Sequence, residues 1–270
     1  MSKYCIENGY LIIEEEELSI SLKLPFPLPK YVKGEGYETE ERAYREVDGV
    51  YHGEALLFYP GKKLMASLYY DRGILHGPSI FYDIHGNILT KTWYVAGRKE
   101  GKAFAYYPNG KIYFIARYKE GKHHLLQEYF HENEKVKGLY PYKEGALHGE
   151  IKLFHETGSL KRSISYLEGK KEGEEKIFSQ DGMLLDIGSY KKGKPIEEHL
   201  RYNVKGRLLE RSFYYPDGRY EKSLWNEEGE LMLTSQYLDK ENFVEKRLTL
   251  EEGWVEKRGK WDGKRVRITI

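Results

Sequence analysis

Residues Gly97–Glu120 read GRKEGKAFAYYPNGKIYFIARYKE. This stretch is one copy of a pattern that recurs seven times at a spacing of 24 residues. With its first glycine as position zero, the equivalent residues are Gly49, Gly73, Gly97, Gly121, Gly145, Gly169 and Gly193. Position nine is aromatic in every copy: Phe58, Tyr82, Tyr106, Phe130, Phe154, Phe178 and Tyr202. Position fifteen is aliphatic, from Leu64 and Ile88 through Ile112 to Leu208. Position twenty-one is always tyrosine: Tyr70, Tyr94, Tyr118, Tyr142, Tyr166, Tyr190 and Tyr214. A period in this range marks an array or a solenoid, in which each repeat buries its faces against its neighbours.

Each unit reads as two short strands and two turns. The mid-unit dipeptides His85-Gly86, Asn109-Gly110, Thr157-Gly158, Asp181-Gly182 and Lys205-Gly206 resemble two-residue hairpin turns, whose central residues both need positive φ. The second turn is Gly-x-x-x-Gly, as at Gly73 to Gly77 and Gly97 to Gly101. Positions nine, fifteen and twenty-one share parity, which fits one face of a period-two strand. The expected fold class is therefore all-β. It is an elongated single antiparallel sheet of tandem β-hairpin repeats, advancing roughly 9.6 Å per unit.

The signature Y-x-x-G-x-x-x-G followed by aromatic-x-x-x-G resembles the MORN repeat. Tyr94, Gly97, Gly101, Tyr106, Gly110 and Tyr118 carry it in one unit. Tyr70, Gly73 and Gly77 carry it before that, and Tyr142, Gly145 and Gly149 carry it later. The resemblance covers about Asp48 to Pro216 and is closest to the bacterial YwqK-type variant, whose members are labelled antitoxins. It implies a hairpin-repeat fold. Its functional content is low, because the family name covers scaffolds, membrane-associated proteins and presumed antitoxins. Four positions depart from the pattern. Leu125 and Glu197 replace the second glycine, Glu134 replaces a turn glycine, and Gly61 comes one residue early. Unit four is therefore expected to hold a looser turn and to be a candidate bend.

The pattern divides the chain into a cap over residues 1–48, seven MORN-like repeats over 49–216 and a C-terminal β-meander cap over 217–270. In the first segment Tyr10–Ile13 and Leu18–Leu24 are strand-like. Pro25, Pro27 and Pro29 impose an extended run, and Thr39–Val47 suggests a short helix. An open sheet needs its end strand protected, and the two caps suit that task.

The chain has 270 residues, with 44 basic against 43 acidic side chains, a balance that argues against a nucleic-acid partner. Of its aromatic residues 25 are tyrosines, which suit half-wet sheet surfaces. Cys5 is the only cysteine, so no internal disulfide forms. No basic start with an apolar run opens the chain. The expected location is cytoplasmic, or outside the cell by a route that reads no apolar signal.

Chemistry is not evident in the motifs. There is no G-x-S-x-G, no H-E-x-x-H and no P-loop, so no enzyme, cofactor or metal is expected. His52, His76, His124 and His148 recur at position three. Units about 9.6 Å apart are too distant to share one zinc, and these residues are expected to be exposed turn histidines. Glu172, Glu174 and Glu175 are expected on solvated faces. Arg98, Lys99, Lys122, Lys170 and Lys171 would align along one edge of stacked turns and could meet lipid headgroups, although Glu100, Glu120, Glu144, Glu168 and Glu172 interleave with them.

The sharpest asymmetry lies at even positions. Tyr59, Tyr69, Phe81, Trp93, Tyr107 and Tyr113 occupy units one to three, where later units carry His155, Lys161, Arg201 or Asn203. An apolar second face marks a protein-partner surface, unless residues 1–48 or a neighbouring subunit of a homo-oligomer cover it. The reading is a non-enzymatic repeat scaffold for protein–protein interaction, with antitoxin-like neutralisation as one form. The alternative is peripheral membrane or phosphoinositide binding through the basic turns.

Overall fold

The computed structural model describes residues 3–7, 10–15, 18–23, 35–238, 242–249, 253–261 and 266–269. The expected strands Tyr10–Ile13 and Leu18–Leu24 appear as Tyr10–Glu15 and Leu18–Lys23. The proline run at 25–29 and the turns at Glu252 and Asp262 lie outside the described residues.

The expected all-β class is observed, built from antiparallel strands in hairpin order. Two compact units divide the chain, Met1–Lys122 and His123–Ile270. In the first, strands from Glu35–Glu38 to Ile112–Lys119 pair with their neighbours in chain order. In the second, the ladder runs from Leu125–Phe130 to Val266–Thr269. The C-terminal meander continues the same sheet, since Leu208–Tyr214 pairs with Tyr220–Trp225 and each later strand adds to the edge. The sheets are open and extend edge to edge. They do not wind into coils, so the solenoid reading is corrected.

The turns invert the expected assignment. At the unit boundary the residue before the zero-position glycine and that glycine both have positive φ, as at Ala96 (46°) and Gly97 (77°) or Glu168 (49°) and Gly169 (77°). These are the two-residue type I′ turns. At mid-unit a single residue is left-handed, glycine in five units and Glu134 in unit four, whereas unit one has both Gly61 (81°) and Lys62 (56°) at positive φ. Tyr107 N–H donates to Lys111 O (2.8 Å) and Gly110 N–H donates to Tyr107 O (2.9 Å). That is a three-residue loop, a type I turn closed by a left-handed bulge residue. Asn-Gly suits it because asparagine 109 also caps locally, its Oδ1 accepting from Lys111 N–H at 3.0 Å.

The departures in unit four do not loosen it. Leu125 (φ 59°), Glu134 (66°) and Glu197 (58°) adopt the left-handed conformation that glycine takes in the other copies. Pairing on both sides imposes it at a cost of roughly 1–2 kcal/mol each.

Register shifts at position eight to nine occur in each hairpin, for example between Ala105 and Tyr106. They interrupt the alternation, so shared parity between positions nine and twenty-one does not establish a shared face. The pairs that do share a face follow from continuous register. Position six opposes position nineteen: Ala55–Leu68, Ala103–Ala116, Ile151–Ile164, Glu175–Gly188 and His199–Ser212. This column holds much of the buried set, with Ala55, Ala103, Ala116, Ile151 and Ile164 each below one-tenth exposed.

Thr39–Val47 is not helical. Arg42–Val47 is a strand, and Thr39 Oγ1 accepts from Arg42 N–H at 3.1 Å where the chain turns into it. The Tyr44 ring packs between Tyr37 (5.4 Å) and Tyr51 (4.7 Å), so cross-strand aromatic contacts override the polar helical look of the segment.

Candidate functional site

The repeated tyrosines organise one face of each sheet. Position two of a unit packs on a position twenty-one ring: Tyr51 on Tyr70 (5.3 Å), Lys99 Nζ over Tyr118 (5.0 Å), His123 on Tyr142 (5.0 Å) and Lys171 Nζ over Tyr190 (4.3 Å). The row continues past the last repeat, where Tyr214, Tyr220 and Tyr237 stack, the last pair at 3.9 Å and 9°. Lys99 and Lys171 are therefore held against rings. Of the expected headgroup edge, Arg98, Lys122 and Lys170 are exposed.

The position-three histidines are half-buried rather than exposed, and His52 and His76 cap turns. Arg72 N–H points at His52 Nδ1 (3.5 Å) and Ala96 N–H at His76 Nδ1 (3.4 Å). In other units glutamate fills the same role, with Glu120 N–H donating to Glu100 Oε2 (2.7 Å) and Lys192 N–H to Glu172 Oε2 (2.7 Å). What position three needs is an acceptor for the left-handed residue of the type I′ turn. Both His and Glu occur there, at His52, His76, Glu100 and Glu172 among others, and each supplies one. Among the described residues no cluster of three or more His, Cys, Asp or Glu is arranged to hold a metal ion.

Three comparisons bear on this array. Residues 99–120, 147–168 and 171–192 match the family described as MORN repeat variant. Each match starts at position two and ends on the left-handed residue before the next zero-position glycine. The chain carries MORN repeats. No curated protein matches it. Among solved structures it is similar to TcdB2-TccC3-Cdc42, at 11% identity and a TM-score of 0.17, covering 84% of this chain and 16% of that one. It is also similar to TcdB2-TccC3 without its hypervariable C-terminal region, at 11% and 0.18, covering 83% and 16%. This chain thus spans a small part of those proteins, and at these TM-scores the likenesses carry no argument.

The six aromatics expected as one patch on the MORN repeats are dispersed. Tyr69 and Trp93 share a face with Pro78, Ile80 and Glu54 by register, and Trp93 and Ile80 are each only 9% exposed. Phe81 lies on the opposite face, beside Ala66 and Thr90, and is 42% exposed. Tyr59 Oη donates to Tyr82 O at 3.0 Å, a bond that His131 and His155 repeat to Phe154 O and Phe178 O (3.1 Å each). Position ten is thus a structural tie between adjacent mid-unit turns. The Tyr107 and Tyr113 rings pack edge-on at 5.1 Å. The bulges are the reason for the dispersal, because even sequence positions change face at each one.

The His123–Ile270 unit holds a polar cluster that sequence reasoning missed. Glu175, expected to be solvated, is 4% exposed. It pairs with Arg162 and with Lys171 Nζ (2.8 Å). Burial opposes its ionisation, but the Lys171 hydrogen bond and the Arg162 charge outweigh it, and its pKa lies below the ordinary value. Burial, with the Glu175 charge and hydrogen bond, pushes the Tyr190 hydroxyl up to about 12. Asp186 is raised by burial and then by Glu175. Beside them, Glu210 joins Arg201 (2.5 Å) and Lys222 (2.8 Å). Register aligns Arg162, Ile177, Asp186, Arg201 and Glu210 across successive strands. The signal available in sequence was the replacement of Ala103 and Ile151 by Glu175 at position six.

Proposed function

We propose that this MORN-repeat chain is a non-enzymatic scaffold that binds a protein partner on the exposed sheet surface of its Met1–Lys122 unit. The observation that carries the reading is Phe81, an aromatic ring left 42% exposed on a sheet face. Tyr113 (36%) and Leu89 (36%) add exposed apolar area in the same unit. Anchors of this kind, aromatic and held on rigid strands, are what protein interfaces favour. In the His123–Ile270 unit paired charges accompany the exposed apolar residues, among them Leu167 (48%), Met183 (43%) and Trp254 (48%). There Glu150–Lys152 (3.1 Å), Glu174–Lys176 (2.6 Å) and Glu198–Arg211 (2.6 Å) pair with one another, as on a solvated face. Antitoxin-like neutralisation is one form of such binding and rests on the YwqK-type resemblance alone.

The test is capture of partners from the native cell by the wild-type chain and by a Phe81→Ser, Tyr113→Ser variant. We expect the variant to lose a specific partner while keeping its melting temperature. Retention of that partner would remove the reading. Headgroup binding through the basic turns is the weaker alternative, because Lys99 and Lys171 are engaged with Tyr118 and Tyr190. Salt-sensitive co-sedimentation with anionic vesicles would favour it instead.

A further inference from the structure

The charged row of the His123–Ile270 unit contains one acid that no cation holds. Register carries the row across five strands on one sheet face. Arg162 opposes Ile177, Ile177 opposes Asp186, Asp186 opposes Arg201 and Arg201 opposes Glu210. Lys171 and Glu175 share the strand of Ile177, and Glu175 lies on its face two residues away. Lys222 lies on the strand beyond Glu210.

The cations of the row are engaged by the two outer acids. Arg162 and Lys171 (2.8 Å) pair with Glu175, while Arg201 (2.5 Å) and Lys222 (2.8 Å) pair with Glu210. Asp186 is half-buried between them. Among the described residues its carboxylate takes no side-chain hydrogen bond and no ion pair, and only charges at longer range reach it. These are Glu175 on one neighbouring strand, Arg201 and His199 on the other, and Glu210 beyond. The His199 ring is committed through Nε2 to Ser189 O (2.9 Å). On its own strand, the Tyr190 hydroxyl is tied to Glu175. Ionising Asp186 thus sets a third negative charge between two others, where water is partly excluded and no partner repays it. Burial and then the Glu175 charge hold its carboxyl above the ordinary aspartate value of 3.8, against the pull of Arg201 and His199.

We infer that Asp186 is a proton-taking position built into this row, so that mild acid tightens the unit before stronger acid loosens it. The stability that Asp186 contributes is fully present below 3.8 and is lost as pH rises through its higher folded value. Glu175 runs the other way. Its contribution is present above 4.5 and is lost as pH falls through its lower folded value. The arrangement of cations, not burial alone, sets the two signs. Glu175 is the more buried acid, at 4% exposed, yet it is the one that stays charged, because Arg162 and Lys171 both hold it. The unit is therefore held most tightly where Glu175 keeps its charge and Asp186 has begun to lose its own. The inference is independent of any partner.

Asp186→Asn in the full chain tests it, since asparagine has the shape of the neutral acid. Melting temperatures of wild type and variant are compared between pH 7 and the ordinary aspartate value of 3.8. We expect the variant to melt about 2–4 °C above wild type at pH 7, and the difference to close as pH falls. The difference between the two profiles is the readout, because Glu175 and His199 titrate in both. Carboxyl-carbon NMR of the wild-type chain gives a second measurement, with an Asp186 midpoint expected above 3.8. Should the variant not fold, that midpoint decides. A folded variant that melts at or below wild type at pH 7 would overturn the inference, because Arg201 would then be holding Asp186 in solution. So would a difference that stays constant with pH, or a carboxyl midpoint at or below 3.8.

Discussion

The His199 ring lies directly over Gly188 on the neighbouring strand, leaving no room for a Cβ at that glycine. His199 Nε2 donates to Ser189 O at 2.9 Å, and its ring is flanked by Tyr190 (5.2 Å) and Tyr214 (4.9 Å). The glycine is there for space rather than for turn geometry. Gly188→Ala should therefore destabilise the second unit by about 1–3 kcal/mol. Adding His199→Ala should recover part of that loss, which a double-mutant cycle of denaturant midpoints would measure.

Leu125 occupies a left-handed position at φ 59° and is 59% exposed, so it strains the backbone and buries little. Leu125→Gly should stabilise the chain by about 1 kcal/mol, the relief of strain exceeding the added freedom of the unfolded glycine. Glu197→Gly should act in the same direction. Thermal midpoints of the single variants check both.

Glu175 gives the second unit a defined acid limit. Its folded pKa is depressed below the ordinary glutamate value of about 4.5, the Lys171 hydrogen bond and the Arg162 charge outweighing burial. Its contribution is thus fully present above about 4.5 and is lost as pH falls through the lower folded value. Glu175→Gln would leave Arg162 and Lys171 facing a neutral group, at a cost of about 3 kcal/mol at neutral pH. Melting curves against pH should show a wide gap between wild type and variant at pH 7, and the gap should close under acid. A constant gap would mean that packing, not charge, holds the site.

His76 and Glu100 occupy the same repeat position and cap equivalent turns of successive units. His76→Glu should keep stability near wild type, whereas His76→Ala should cost about 1 kcal/mol. Added zinc should leave the melting temperature unchanged, since the histidines serve separate turns.

What could be read from residues alone was whatever is local. The glycine at position zero reports a two-residue turn, and the 24-residue spacing reports a hairpin unit, because backbone sterics act within a few residues. The continuation of the ladder through Tyr220–Trp225 was not legible, since strand pairing there no longer follows the period. The face of each aromatic was not legible either. Parity carries through a regular strand but stops at a bulge, and each hairpin contains one.

The Gly97–Glu120 stretch thus determined an all-β hairpin array by itself, because turn glycines and alternating strands are sequence-local. The tertiary structure decided that Trp93 is buried while Phe81 is open, and that Glu175 is a buried ion partner instead of a solvated acid. Those outcomes depend on which strand lies alongside, at which register, and that distance in space is not written at any one position in the chain.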